Sequence, residues 1–175
     1  MHKLRHLRAI LALPFVALCI IPGLVLLLLY HVDTRWNTAS AAYGIIFFAG
    51  IVFLLAGMIL LVVTVYLFAT VGEGTLAPWD PAQKLVVEGP YRYVRNPMIT
   101  GVLTVLVGES IVTGSLAIAL FAVFFFVLNH LYFIFSEEPG LIKRFGEPYK
   151  RYLKNVPRWL PRTAPWVGDH HQNES

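Results

Sequence analysis

The sequence predicts an all-α, polytopic integral membrane protein, with about four transmembrane helices and a C-terminal amphipathic helix on the cytoplasmic side. Composition is the first reason. The chain has 175 residues, is 57% hydrophobic and 14% charged, and has a mean hydropathy of +0.66. Soluble domains are nearer about half apolar and about one quarter charged. The second reason is four long apolar runs, near Ala9–Tyr30, Ala41–Ala69, Met98–Thr113 and Ser115–Phe135. The third is the one-sided placement of lysine and arginine. The chain reads as a single membrane domain over 1–175, with a polar loop at 72–97 and a polar C-terminal segment at 137–162.

A bilayer core of about 30 Å takes about 20 helical residues. The first, second and fourth runs are long enough, and the third is short. The first run follows a basic start, Met1 to Arg8, but exceeds a signal-peptide core and ends without a small-residue cleavage site, so it reads as a retained helix. Its lone Cys19 cannot form an internal disulfide and reads as a small core or lipid-facing residue. Pro14, Pro22 and Gly23 predict kinks or close packing, and Gly50 and Gly57 in the second run offer small surfaces to a neighbouring helix. Thr113-Gly114-Ser115 reads as a tight turn between the third and fourth runs.

Three of the fourteen basic residues precede the first run, one lies between the first and second, three between the second and third, and seven follow the fourth. Thirteen therefore share one side, which the positive-inside bias makes cytoplasmic, along with both termini. The expected location is a bacterial or archaeal cytoplasmic membrane. The net charge of +4 follows from this topology and from attraction to anionic lipid. Nucleic acid is not an expected partner, because the basic residues flank membrane segments. No Cys/His set has zinc spacing, so no metal is expected. Gly72-x-Gly74 lies outside any strand–turn–helix unit, and a dinucleotide fold is not supported.

Polar chemistry gathers at one end of the hairpin made by the last two runs. Before it stands Gly89-Pro90-Tyr91-Arg92-Tyr93-Val94-Arg95-Asn96-Pro97-Met98, where Pro97 suits a helix's first turn. After it stand Glu137-Glu138, Phe145-Gly146-Glu147-Pro148-Tyr149 and Val156-Pro157-Arg158. The turn at Gly114 makes Arg95 and the glutamates neighbours about one helix diameter apart, roughly 10 Å. Adjacent carboxylates at a helix C-terminus oppose the macrodipole, which points to a cationic or hydroxyl-bearing ligand. Beyond Phe135, Leu141, Phe145, Tyr149, Tyr152 and Leu153 recur at helical spacing, giving a helix that lies on the membrane or caps the bundle. Residues from Trp166 onward read as a loose tail. Within the membrane, Glu109 is expected to reach the outer interface. His130, two turns before Glu137, either bonds inside the bundle or lines a substrate pocket.

These blocks, with Lys84-Leu85-Val86-Val87 ahead of them, resemble the membrane methyltransferase family of isoprenylcysteine carboxyl methyltransferases and phospholipid N-methyltransferases. The resemblance covers roughly Gly72 to Pro161. It implies S-adenosyl-L-methionine as methyl donor, held at the cytoplasmic helix ends beside a lipid-facing tunnel, with a hydrophobic or lipid-linked acceptor. It assigns cofactor contact to Lys84, Leu85, Val86, Val87, Tyr91, Asn96, Pro97, Met98, Ile99, Glu137 and Glu138. Arg95 would hold a carboxylate or phosphate, and His130 or Glu137 would serve as base. The family's usual block reads Arg-His-Pro-x-Tyr, whereas this chain has Arg95-Asn96-Pro97-Met98-Ile99, without the histidine or the tyrosine. Carboxyl-methylating members carry an arginine just before the glutamate pair. Phe133-Ile134-Phe135-Ser136 has none, which favours an acceptor other than prenylcysteine. The competing readings are a non-catalytic membrane scaffold of the same fold and a small transporter; the lack of an internal repeat counts against the latter.

Overall fold

The computed structural model describes residues 15–29, 43–72 and 83–168. Among them the regular structure is helical, with no strand. Helix α1 spans Val16–Leu28, α2 Tyr43–Thr70, α3 Pro97–Thr113, α4 Leu116–Phe145 and α5 Glu147–Asn155. By length and composition, α2 (28 residues) and α4 (30 residues) can each cross a membrane, and α1 and α3 are shorter apolar helices. Pro14, the basic start Met1 to Arg8, Arg35 and Gly74 lie outside the described residues.

Helix α2 is built inside out relative to a soluble helix. Ile45, Phe48, Val52, Leu55, Ile59, Val62 and Tyr66 recur at three- and four-residue steps and are all exposed. Gly50, Gly57 and Thr64 are buried on the other side. Lipid solvates large apolar side chains as well as a neighbouring helix does, so association depends on close backbone approach at small residues. Helix α3 supplies matching glycines in antiparallel register. A Cβ on Gly101 would stand 3.1 Å from the Gly57 carbonyl oxygen, and one on Gly108 would stand 2.9 Å from that of Gly50. The Tyr43 hydroxyl ties the two helices at their far end by donating to the Val112 carbonyl at 2.6 Å. Gly23, by contrast, meets nothing within 4 Å among the described residues.

Helix α3 lies at the centre. Val102, Val105 and Leu106 join Leu61 and Val65 of α2, Ala17 and Leu18 of α1 and Ala122 of α4 in the apolar core. Gly114 then takes φ +67°, and the Ser115 hydroxyl accepts the Ile118 N–H to cap α4. The hairpin turn is thus where its residues place it. Glu109 is half-buried near the Gly114 end of α3, and its Oε2 has no hydrogen-bond partner among the described residues.

The largest departure from the sequence reading lies in α4. Glu137-Glu138-Pro139-Gly140 reads as a helix end, yet the helix continues to Phe145. Pro139 has no N–H to donate, and the turn before it widens: Phe133–Glu137 is π-helical, and the Glu138 N–H reaches back five residues to the Phe133 carbonyl. The same device appears at Val16–Ile20, just before Pro22. The glutamates therefore sit inside a helix, and the macrodipole argument does not apply to them.

Gly146, at φ +60°, breaks the helix before α5. Tyr149 and Tyr152 of α5, with Val156 just beyond it, pack on Leu85, Val87, Leu141, Ile142 and Trp166. Lys150 and Lys154 stay exposed on the other face. The amphipathic segment is thus a cap on the loop and on the end of α4.

Candidate functional site

The polar end is assembled from three stretches of chain. The first begins where the Gln83 and Lys84 N–H groups both donate to the Gly72 carbonyl at the end of α2, at 2.9 and 3.2 Å. It passes through Leu85–Val87, whose backbone groups make no backbone hydrogen bond among the described residues. Gly89, at φ +52°, then starts the short 3-10 turn Gly89–Arg92. The second stretch is the π turn of α4 with Glu137 and Glu138. The third is the chain beyond α5, which runs back along the first as a strap. The Arg95 N–H donates to the Pro157 carbonyl, Arg162 N–H to Tyr93, and Trp166 N–H to Arg92. Arg92 returns a bond from Nε to the Trp166 carbonyl at 3.0 Å. Trp166 also packs its ring on Tyr152, centroids 5.6 Å apart, so it anchors the strap instead of starting a loose tail.

Glu138 is the node that joins all three. Arg95 Nη1 donates to its Oε1 at 2.7 Å. Arg158 grips it twice, Nε to Oε1 at 2.8 Å and Nη2 to Oε2 at 3.0 Å. This fork geometry is the strong form of the arginine–carboxylate bond. It raises the affinity of the Arg158 guanidinium for its proton above the ordinary value. Arg95 and Glu138, 43 positions apart in the chain, are thus in contact, as the hairpin requires. Arg95 keeps one unused group, since its Nε is buried without a partner among the described residues.

Tyrosines line the same end. The Tyr152 hydroxyl donates to the Tyr91 carbonyl at 2.7 Å, which fixes the 3-10 turn to α5. Burial, and after it the charge of Glu137, hold the Tyr91 hydroxyl protonated well above the ordinary tyrosine range. Burial does the same for Tyr152. Tyr149 is pushed up to about 12 by burial first and by Glu138 second. Glu137 makes no hydrogen bond or ion pair among the described residues, unlike its neighbour.

The residues singled out from the sequence divide into three groups. Leu85, Val87, Tyr91, Arg95, Glu137 and Glu138 come together here. Val86, Pro97 and Met98 are also at this end, but their side chains are buried in packing. Met98 belongs to the apolar core with residues of α1, α2 and α4. Lys84 is exposed; Ile99 is half-buried in the first turn of α3; Asn96 caps that helix through its carbonyl, which accepts from Thr100 N–H at 3.0 Å, with no side-chain cap bond. His130 stands apart. Its Nδ1 accepts the Trp159 indole N–H at 3.0 Å, and its ring stacks on Phe126 with centroids 5.8 Å apart. A lone pair held this way is not free to take a substrate proton. Sequence reasoning counted Arg158 in a polar block and Tyr152 on the amphipathic face but gave neither a site contact, and it did not name Trp159. The available signal was an arginine and a tryptophan side by side between Val156 and Leu160.

The phospholipid methyltransferase family matches residues 42–148, a range that includes α2 to α4 and the first stretch of the site. A phosphatidylethanolamine N-methyltransferase of Aspergillus terreus is 31% identical over 86 residues, 47% of this chain and 9% of that protein. A protein-S-isoprenylcysteine O-methyltransferase of Schizosaccharomyces pombe is 34% identical over 79 residues, 44% of this chain and 33% of that protein. These alignments thus span no more than a third of either relative's length. No solved structure matches.

Proposed function

The chain belongs to the phospholipid methyltransferase family, and from that premise we propose that it is an S-adenosylmethionine-dependent methyltransferase of the membrane, acting on a hydrophobic or lipid-linked acceptor. Four spans put both termini and the polar end on the cytoplasmic side, of a bacterial or archaeal cytoplasmic membrane. The observation that carries the reading is the meeting of Arg95 and the glutamate pair at one end of the α3–α4 hairpin, at the same end as the Leu85–Val87 backbone, which makes no backbone hydrogen bond among the described residues.

The groups present suit this cofactor. The unbonded backbone edge of Leu85–Val87 matches an adenine edge. Glu137, left without a partner, offers an acceptor to ribose hydroxyls or to an ammonium group, and its charge favours a sulfonium. The buried, unpaired Nε of Arg95 is a donor for a carboxylate. Lys84 borders the edge, Asn96 adds a neutral hydrogen-bonding group, and the Pro97–Ile99 backbone forms the floor. When bound, the cofactor supplies a methyl group on a positively charged sulfur. The protein's part is to align donor and acceptor and to keep water away. Glu138 holds the strap closed through its two arginines. An amine acceptor must lose a proton, and Glu137 is the carboxylate free to receive it.

Titrating the purified protein in detergent with S-adenosylmethionine tests this, followed by incubation with methyl-labelled cofactor and a total lipid extract. The parent is expected to bind and to label a lipid. Glu137→Ala is expected to weaken binding about tenfold or more, the loss of a charge-assisted bond. A parent that fails to bind cofactor would overturn the proposal and leave a scaffold of the same fold.

A further inference from the structure

Resting on the methyltransferase reading, we infer that His130, oriented by Trp159, is a positioning residue that donates a hydrogen bond from Nε2 to a phosphate or ester oxygen of a bilayer phospholipid acceptor. The argument begins with the tautomer. Nδ1 accepts the indole N–H of Trp159, so it carries a lone pair. A neutral imidazole has one N–H, which must then be on Nε2. That nitrogen has no hydrogen-bond partner among the described residues, yet it is not sealed inside the protein.

Depth gives the N–H its meaning. His130 lies fourteen residues into α4, about 21 Å along an axis that crosses about 30 Å of hydrocarbon. It therefore stands below the cytoplasmic interface, where no water satisfies a donor and an unmet N–H is costly. Its surroundings are apolar and aromatic. Phe126, Phe133 and Trp159 form one cluster, with ring centroids 4.9 Å apart for Phe126–Trp159 and 5.7 Å for Phe133–Trp159. The α4 surface next to it, at Val127 and Leu131, is exposed. A donor set in such a surface fits a molecule with acyl chains along the helix and an oxygen just under the interface, which describes a diacyl phospholipid. Trp159 belongs to the strap that Glu138 clamps through Arg158, so the donor is held in register with the cofactor end.

The full chain, labelled with nitrogen-15 histidine in maltoside micelles, tests this. It has six histidines, so the His130 signals are assigned by their loss in His130→Gln. A protonated Nε2 and a bare Nδ1 are expected, with the preference lost in Trp159→Phe. Adding dihexanoyl phosphatidylethanolamine is expected to shift Nε2, and hexadecane is not. In methyl transfer to that lipid, His130→Phe is expected to raise KM about tenfold with kcat within about twofold, and His130→Gln, which keeps a donor, to stay within about threefold of the parent KM. A proton on Nδ1, an Nε2 blind to the lipid, or a Phe variant with the parent's KM would each overturn the inference. Cofactor titration is read separately, and the lipid-dependent shift needs no cofactor, so failure of the methyltransferase reading is told apart from failure of this one.

Discussion

The membrane half and the polar end of this protein are held together by opposite means. Between α2 and α3 the contact depends on what is missing: four glycines let two backbones come within the reach of a single Cβ. At the polar end the contact depends on what is present: a carboxylate between two arginines, and a tyrosine hydroxyl aimed at backbone. Solvent explains the difference. Lipid gives helices no reason to bury leucine against leucine, so tight apposition and dispersion decide. The interface contains water, and there the buried polar groups must find each other or lose stability. The membrane half should therefore fail when bulk is added, and the polar end when charge or a hydroxyl is removed.

Adding bulk at Gly57 should have the largest effect. A Cβ there would stand 2.8 Å from the Gly101 carbonyl oxygen and 2.8 Å from the Val105 backbone nitrogen. Backbone cannot rotate aside as a side chain can, so Gly57→Leu forces the helices apart. We expect loss of the folded species in size-exclusion chromatography, a cost above about 3 kcal/mol. Gly23→Leu, which meets nothing, should chromatograph as the parent does. Equal damage from both would refute the close-approach argument.

Removing the carboxylate of Glu138 comes second. Glu138→Ala strands Arg95, whose side chain is 10% exposed, beside Arg158 at 20%. Breaking a fully buried pair costs more and an exposed one far less, so about 2 kcal/mol is expected. The strap should also become open to protease near Trp159 while α2 to α4 stay protected. Glu137→Gln, lacking such partners, should leave stability unchanged and weaken cofactor binding. A strap equally protected in Glu138→Ala and in the parent would show that the clamp does not hold it.

Alkaline pH tests the tyrosines together. Folding favours the neutral phenol, so the Tyr149 pKa is raised to about 12 from an unfolded value of about 10. Stability is then complete below about pH 10 and is lost as pH rises toward about 12. Thermal unfolding in detergent from pH 8 to 12 should show a falling midpoint above pH 10, with a shallower fall in Tyr149→Phe. A midpoint flat across this range would refute the burial argument.

How far the sequence could be read follows the same division. Apolar runs and the Gly114 turn were legible because each is a local or compositional signal. The meeting of Arg95 with Glu138 was legible because a tight hairpin leaves few alternatives. The continuation of α4 was not, because a proline after two glutamates reads as a stop. Only the π turn, a tertiary accommodation, carries the helix through. The role of Arg158 was hidden for a different reason. Its partner is 20 residues away across a helix break, and no spacing rule connects them. Trp166 likewise looks like tail sequence until its backbone pairs with Arg92. His130 left two expectations open, a bond inside the bundle or a place in a substrate pocket, and its hydrogen-bond partner, the Trp159 indole N–H, comes from the strap 29 positions on.

The smallest effect expected is also the finest test of the contrast, because it changes a single oxygen on either side. Tyr152→Phe removes the hydroxyl that donates to the Tyr91 carbonyl at 2.7 Å, in a side chain that is 3% exposed. The ring stays, so the packing on Tyr149 and Trp166 is kept. What is lost is one hydrogen bond, with a buried carbonyl left unmet, worth about 1 kcal/mol. Tyr66→Phe deletes the same oxygen from a ring of α2 that is 65% exposed, and should change nothing measurable. Chemical unfolding in detergent would compare the two. Because Tyr152 fixes the 3-10 turn, its variant should also exchange the Tyr91–Val94 amides faster, while amides of α2 next to Tyr66 keep their protection. If Tyr66→Phe cost as much as Tyr152→Phe, hydroxyls would matter equally in lipid and at the interface, and the two halves would not differ in the way argued here.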